Sequence, residues 1–320
     1  MELNSNFKNL MEGLTARRLA NGFAHLRIHY TADPLKRGDW SDRAAIYYGG
    51  KENPNWRREQ EIDYNAYSGQ RIWPYLCDLH NSEFDMSKWT VYRVIDQGIR
   101  HPTVCLWVGI NAKKDRHIFR EYYSVGRSIA ENCRNILNTD RGEKIAGSFI
   151  DPATAKRNEL TLNSLSDVYA ENGISCLYAD NCFAGYDTVG QMLLSALARK
   201  ALDGMKVSYL EKATKEQLVM LAEKPALTFD FRFTPKCWQE MCGLRWTQRR
   251  VDGTQKSQPE TAVDVYDDGP DCVRYACQSC LSFIGGSEKK NLTILDIMKL
   301  HREQKTQKDI IKKRLNRYAV

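Results

Sequence analysis

From Trp89 onward, apolar and polar positions fall into short, sharply bounded runs. Three of them, at 89 to 95, 103 to 109 and 116 to 123, are rich in β-branched and aromatic residues and separated by short polar turns such as "NAKKDR". They predict three strands in an antiparallel meander. Ile129, Cys133, Ile136 and Leu137 then recur at helical spacing, predicting a helix over 128–137 that covers the sheet. "GSFID" and "GISCLYAD" predict further short strands, ending on Asp151 and Asp180. Val189, Met192, Leu193, Ala196 and Leu197 follow the i, i+3, i+4, i+7, i+8 pattern of a helix capped by Asp187. Strands alternating with helices imply parallel crossovers after the antiparallel start, so the expected fold is α/β with a mixed sheet flanked by helices.

Later stretches extend this pattern. Thr214 and Gln217 form a capping box, "LTFDFRF" alternates like a strand, and Thr234-Pro235 opens a helix running to about Leu244. Asp252-Gly253 signals a hairpin in a basic, polar setting. In "DDGPDCVRYACQSC", Pro270 suits the first turn of a helix whose apolar face is Val273, Ala276, Cys277, Cys280 and Leu281. Residues 1–80 mix turn residues, charges and aromatics without sustained period and are expected to form an extended arm. The expected organisation is an arm over 1–80, one domain over 81–287, and a tail over 288–320.

Composition narrows the class. The chain has 320 residues, 42% hydrophobic, with no apolar run near the roughly 18 residues needed to cross a bilayer. "MELNSNFKNL" lacks the features of a secretory signal, so a soluble, non-secreted protein of a reducing compartment is expected. Ten cysteines are too dilute for a disulfide scaffold, and the Cys277–Cys280 pair, with no second pair at zinc spacing, reads as packing on one helix face. The net charge is +7, and residues 288–320 hold ten Lys and Arg against four Asp and Glu. A basic tail suits phosphate backbones or an acidic partner, and equally a solvated charged helix.

The acids carry the candidate chemistry. Asp96 closes the first strand of the meander, Asp151 closes a later strand, and Asp267, Asp268 and Asp271 crowd one helix start, where a cap needs only one or two. Strand ends and helix starts are where open α/β sheets gather ligands. Taken singly, each Asp reads as a turn or cap residue. Converged, carboxylates repel one another unless a hard divalent cation with oxygen ligands sits among them, and Mg²⁺ or Mn²⁺ is that cation. Two such ions suit hydrolysis of a phosphodiester. Asp180 and Glu121 compete with Asp151 for the second position. Arg274, off the apolar stripe, suits an i, i+3 salt bridge to Asp271 or a contact with a scissile phosphate.

"RVIDQGIRHPTVCLWVG", "FREYYSVGRSIAENCRNIL", "GSFIDPATAKRNELTLNSLSDVYAENGI" and "DDGPDCVRYA", in this order and spacing, resemble the nuclease domain of phage terminase large subunits. "HYTADP" and "NPNWRREQEIDYNAYSGQRIWPYL" resemble the segment that joins the ATPase of such proteins to the nuclease. The resemblance implies an RNase H-like fold, with metal-binding acids at Asp96, at Asp151 in "FIDPATAK", and at Asp267 and Asp271 of a D-H-x-x-D-like helix start. Asp268 replaces the usual His, which leaves open which of the three acids holds metal.

The activity implied is metal-dependent cleavage of double-stranded DNA during genome packaging, in the cytoplasm of an infected host cell. Arg249, Arg250, Lys256, Lys312, Lys313 and Arg314 are candidates to grip DNA phosphates. No G-x-x-x-x-G-K-[ST] occurs, so this chain is expected to work with a separately encoded packaging ATPase, a small terminase subunit and a portal. Two other readings stay open: a junction resolvase or transposase-type nuclease on the same fold, and a non-catalytic, DNA-gripping docking module.

Overall fold

The computed structural model describes residues 8–18, 22–63, 70–98, 101–156, 163–182, 184–247, 262, 267–279 and 282–283. The hairpin signal at Asp252-Gly253, the position of Cys280 and the basic tail lie outside the described residues.

The amino-terminal part has more structure than the extended arm expected for it. β1 (Lys8–Met11), β2 (Leu14–Arg18) and β3 (Ala24–Ile28) form a small antiparallel sheet, followed by two short helices, α1 (Trp40–Ile46) and α2 (Pro54–Glu59). Trp56 is fully buried, in ring contact with Tyr30, Trp40 and Tyr48. Glu61 ties the cluster together: its carboxylate accepts from Trp56 Nε1 at 3.2 Å and pairs with His29 Nε2 at 3.0 Å. Aromatics at irregular spacing build this unit, so no periodicity announced it.

The main sheet is mixed as predicted, an antiparallel meander followed by parallel strands. β4 (Thr90–Asp96), β5 (Thr103–Ile110) and β6 (Arg116–Ser124) make the antiparallel meander. After α3 (Ile129–Thr139), β7 (Ile145–Ile150) pairs parallel to β4. After α4 (Leu165–Glu171), β8 (Cys176–Tyr178) pairs parallel to β7. Next come α5 (Gly185–Leu202) and α6 (Lys215–Ala222), then β9 (Leu227–Phe229), which adds parallel to β6. α7 (Pro235–Gly243) and α8 (Asp268–Gln278) complete the described elements. The strand order is β8-β7-β4-β5-β6-β9. A three-strand meander extended by two parallel strands beside its first strand is the RNase H-like arrangement.

Both faces of this sheet are covered, which is why β5 is buried along its whole length and reads as a continuous apolar run. Val94, Leu106, Val108 and Ile118 pack with residues of α5, α7 and α8; Ile95, Cys105 and Trp107 pack on the other face with Ile136 of α3 and Tyr169 of α4. Asp115, in the β5–β6 turn, receives both terminal nitrogens of Arg199 from α5 at 2.8 and 2.9 Å and the backbone N–H of Ala226 at 2.8 Å. That network holds α5 and the start of β9 against the meander.

Local differences from the sequence reading have local causes. Asp187 lies in the first turn of α5, whose N-cap is Ala184. The alternation of "LTFDFRF" stops pairing at Phe229, because Asp230 turns back to accept from Arg232 and its carbonyl takes the Phe233 N–H. β8 ends at Tyr178, two residues before Asp180. α8 begins at Asp268, placing Pro270 inside the first turn, where its missing N–H costs no helical bond. Thr214 caps α6 with the reciprocal box its sequence predicts, and Ser128 does the same for α3.

Candidate active site

β4 and β7 run parallel with Ile95 opposite Ile150, and the Asp151 N–H donates to the Ile95 carbonyl at 3.2 Å. Asp96 and Asp151 therefore end neighbouring central strands at one edge of the sheet. Asp151 also opens a 3₁₀ turn, accepting from the Ala153 N–H at 3.1 Å, so the cap expected of a lone Asp is present.

α8 brings the remaining acids to the same edge. It packs on β4 and β5, with Cys272 Sγ 3.9 Å from the carbonyl of Val104, the residue paired with Asp96. Asp267 is the N-cap residue, and its carbonyl accepts the first helical bond from the Asp271 N–H at 2.8 Å. Gly269 makes the close approach possible: its N–H donates to Glu240 at 2.9 Å, and a Cβ there would lie 2.6 Å from that carboxylate and on top of the Tyr123 hydroxyl. The glycine between the acids is thus a packing requirement.

Electrostatics record the convergence. Burial pushes the Asp96 carboxyl well above the ordinary carboxylate range, and the charges of Asp271, Asp151, Asp268 and Asp267 push it the same way. Asp271 is pushed up to about 6, mainly by burial; Arg274 opposes the shift while Asp267 and Asp151 add to it.

Arg274 takes the salt-bridge role open to it in the sequence. It donates to Asp271 from Nε at 3.0 Å and to Asn181 Oδ1 from a terminal nitrogen at 2.9 Å, and that nitrogen lies 2.8 Å from the Asp271 carboxylate in an ion pair. Its side chain is only 9% exposed, flanked by the rings of Tyr186 and Tyr275.

The competing acids sit elsewhere. Glu121 accepts from the backbone N–H groups of Lys236 and Cys237 at 3.0 and 2.8 Å, which makes it the anchor of the α7 amino terminus. Asp180 is exposed beyond β8, its N–H bonded to Ser279 Oγ at 3.3 Å. Glu240, Asn181 and Tyr186 belong to the site's surroundings and carry no motif in the sequence; only their packing against α8 reveals them. The candidate DNA contacts Arg249, Arg250, Lys256, Lys312, Lys313 and Arg314 lie outside the described residues.

The donor set is all carboxylate oxygen, clustered and countered by one cation, which fits a hard divalent ion better than a thiophilic one. Among the described residues, no three Asp, Glu, His or Cys side chains are drawn into a ready-made metal cage. The acids share an edge and a field without closing on one point.

The mixed sheet flanked by helices defines the fold class as RNase H-like, with acids at the ends of two neighbouring parallel strands. No protein-family model matches the chain, and no curated protein matches it. Among solved structures it is similar to the large terminase from a thermophilic bacteriophage. One crystal form aligns over 79% of this chain and 55% of that one at 15% identity and a TM-score of 0.52; a second aligns over 77% and 52% at 13% and 0.51. The chain thus spans about half the length of these terminases. It also aligns over 61% of its length with 90% of the SPP1 bacteriophage large terminase nuclease domain, a structure with bound Mn, at 14% identity and a TM-score of 0.38. At these identities the likeness shows the fold.

Proposed function

We propose that this chain is a divalent-metal-dependent endonuclease that cleaves double-stranded DNA during viral genome packaging. The observation that carries the reading is Asp96: a half-buried carboxyl at the end of the central strand, under the charges of four other aspartates. A fold that needed only caps at these positions would gain nothing from crowding them, since each added charge opposes the next.

Asp96, Asp151, Asp267 and Asp271 are the residues that would hold two Mg²⁺ or Mn²⁺ ions. When bound, such a pair supplies activation of a water and stabilisation of the leaving oxygen of a phosphodiester. The protein's own part is positional. The parallel ends of β4 and β7 hold Asp96 and Asp151 side by side, and α8 sets Asp267 and Asp271 over them. Arg274 fixes the orientation of Asp271, and the Tyr186 and Tyr275 rings limit its own movement. Asp268, 8% exposed, adds its charge to both Asp96 and Glu240 and is a further candidate ligand.

The terminase-like fold supports the packaging context, in which a packaging ATPase, a small terminase subunit and a portal are the partners. Plasmid nicking by the full chain in Mg²⁺ or Mn²⁺ tests the activity. Cutting is expected to stop in EDTA and in Asp96→Ala protein; cutting that persists in either overturns the mechanism.

A further inference from the structure

The turn that follows Asp96 is held by side chains from four other elements. The Gly98 carbonyl accepts from Gln97 Nε2 at 2.6 Å and from Thr103 Oγ1 of β5 at 3.1 Å. Behind Thr103 the bonds run on in a line. Asn132 Nδ2 of α3 donates to Thr103 Oγ1 at 3.2 Å, the Tyr122 hydroxyl of β6 donates to Asn132 Oδ1 at 2.9 Å, and Asn135 Nδ2 of α3 donates to the Tyr122 hydroxyl at 3.3 Å. On the other side, the Tyr169 hydroxyl of α4 donates to Gln97 Oε1.

Tyr169, Thr103 and Asn132 are buried, and Tyr169 packs in the same apolar cluster as Ile95 and Ile150, the residues that precede Asp96 and Asp151. α4 itself rests on the 3₁₀ turn that follows Asp151. One helix therefore touches both acid-bearing strand ends, the first through a hydrogen bond and the second through packing. Packing alone does not call for a buried hydroxyl, since Phe fills the same space with no polar group to satisfy. What the hydroxyl adds is direction: it holds one end of the Gln97 amide while the Gly98 carbonyl holds the other.

We propose that Tyr169 is a positioning residue which, through Gln97, fixes the Asp96 carboxylate relative to Asp151 for binding of a divalent cation; the assignment rests on the nuclease reading above. Its part is to orient, so its loss falls on metal affinity, as it does for the outer partners that orient metal-binding carboxylates in general.

The test is Mn²⁺ binding to the full chain by isothermal titration calorimetry, with urea denaturation in EDTA to measure stability apart from the metal. Tyr169→Phe removes only the hydroxyl and is expected to weaken Mn²⁺ binding about 10- to 100-fold. Plasmid nicking by this variant is expected to fail at limiting Mn²⁺ and to return as Mn²⁺ is raised. Gln97→Met breaks the same link without altering Tyr169; it is expected to show the same loss, and it decides the matter if Tyr169→Phe does not fold. Tyr92→Phe is the control. It deletes a hydroxyl from the same strand as Asp96, bonded to the Ser282 carbonyl at 2.8 Å and four residues, roughly 13 Å, back along the strand. Its Mn²⁺ affinity is expected to equal that of the wild type. Wild-type affinity in either folded variant, Tyr169→Phe or Gln97→Met, overturns the proposal, and so does an equal loss in Tyr92→Phe. A wild-type chain that binds no Mn²⁺ sinks the nuclease reading and the proposal with it, whereas binding and nicking that Tyr169→Phe leaves unchanged sink the proposal alone.

Discussion

Replacing Asp96 by Asn tests the electrostatics of the site, because it keeps the side chain's shape and removes its charge. In the unfolded chain Asp titrates near 3.8, whereas burial and four neighbouring aspartates hold Asp96 well above that value. The folded state therefore binds the extra proton, and a raised carboxyl lowers stability as pH rises. The limiting slope is about 1.4 kcal/mol per pH unit, starting near 3.8 and levelling off once the folded carboxyl ionises. Asp271 calibrates the scale: held at about 6 rather than 3.8, it costs the metal-free fold about 3 kcal/mol at neutral pH. Asp96→Asn should therefore stabilise the metal-free protein, with a gain that is smallest near pH 4 and grows as pH rises. Urea denaturation in EDTA across pH 4 to 8 measures this. Adding Mg²⁺ to about a hundred times its dissociation constant should stabilise the wild type by about 2.7 kcal/mol and the variant by much less. A variant equal to or weaker than wild type at every pH would refute the crowding of charge at this edge.

Three further outcomes follow from the packing. Asp115→Ala leaves Arg199 and the Ala226 N–H without their shared acceptor and should lower stability by about 3–5 kcal/mol, seen as a fall in the urea midpoint. Gly269→Ala drives a methyl into Tyr123 and Glu240; it should displace the first turn of α8, lowering the melting temperature and abolishing nicking together. A variant with wild-type stability would count against that close approach. His117 is pushed down to about 4, chiefly by burial, against 6.5 unfolded. The unfolded state then binds more protons between those values, so this residue adds stability as pH rises from 4 to 6.5, by about 3 kcal/mol in all. His117→Gln should flatten that rise in a pH series of denaturation curves, opposite in sign to the Asp96→Asn effect.

The sequence alone determined the succession of strands and helices in the main sheet, because strand and helix periods differ and each short run between Trp89 and Phe229 carries one or the other. It also located the acids, since strand ends and helix starts are punctuated by Asp, Gly and Pro. It did not determine which acids work together. Asp96, Asp151 and Asp180 all stand at strand ends, yet only the parallel pairing of β4 with β7 set Asp151 beside Asp96, while Asp180 is exposed beyond β8. Glu121 looks like a strand-borne candidate until α7 is seen resting on it. The cluster around Trp56 was equally hidden, because it joins aromatics from distant segments with no common spacing. Local pattern encodes what each segment becomes; convergence of charge and of aromatic surface is a long-range property, decided only when the segments pack.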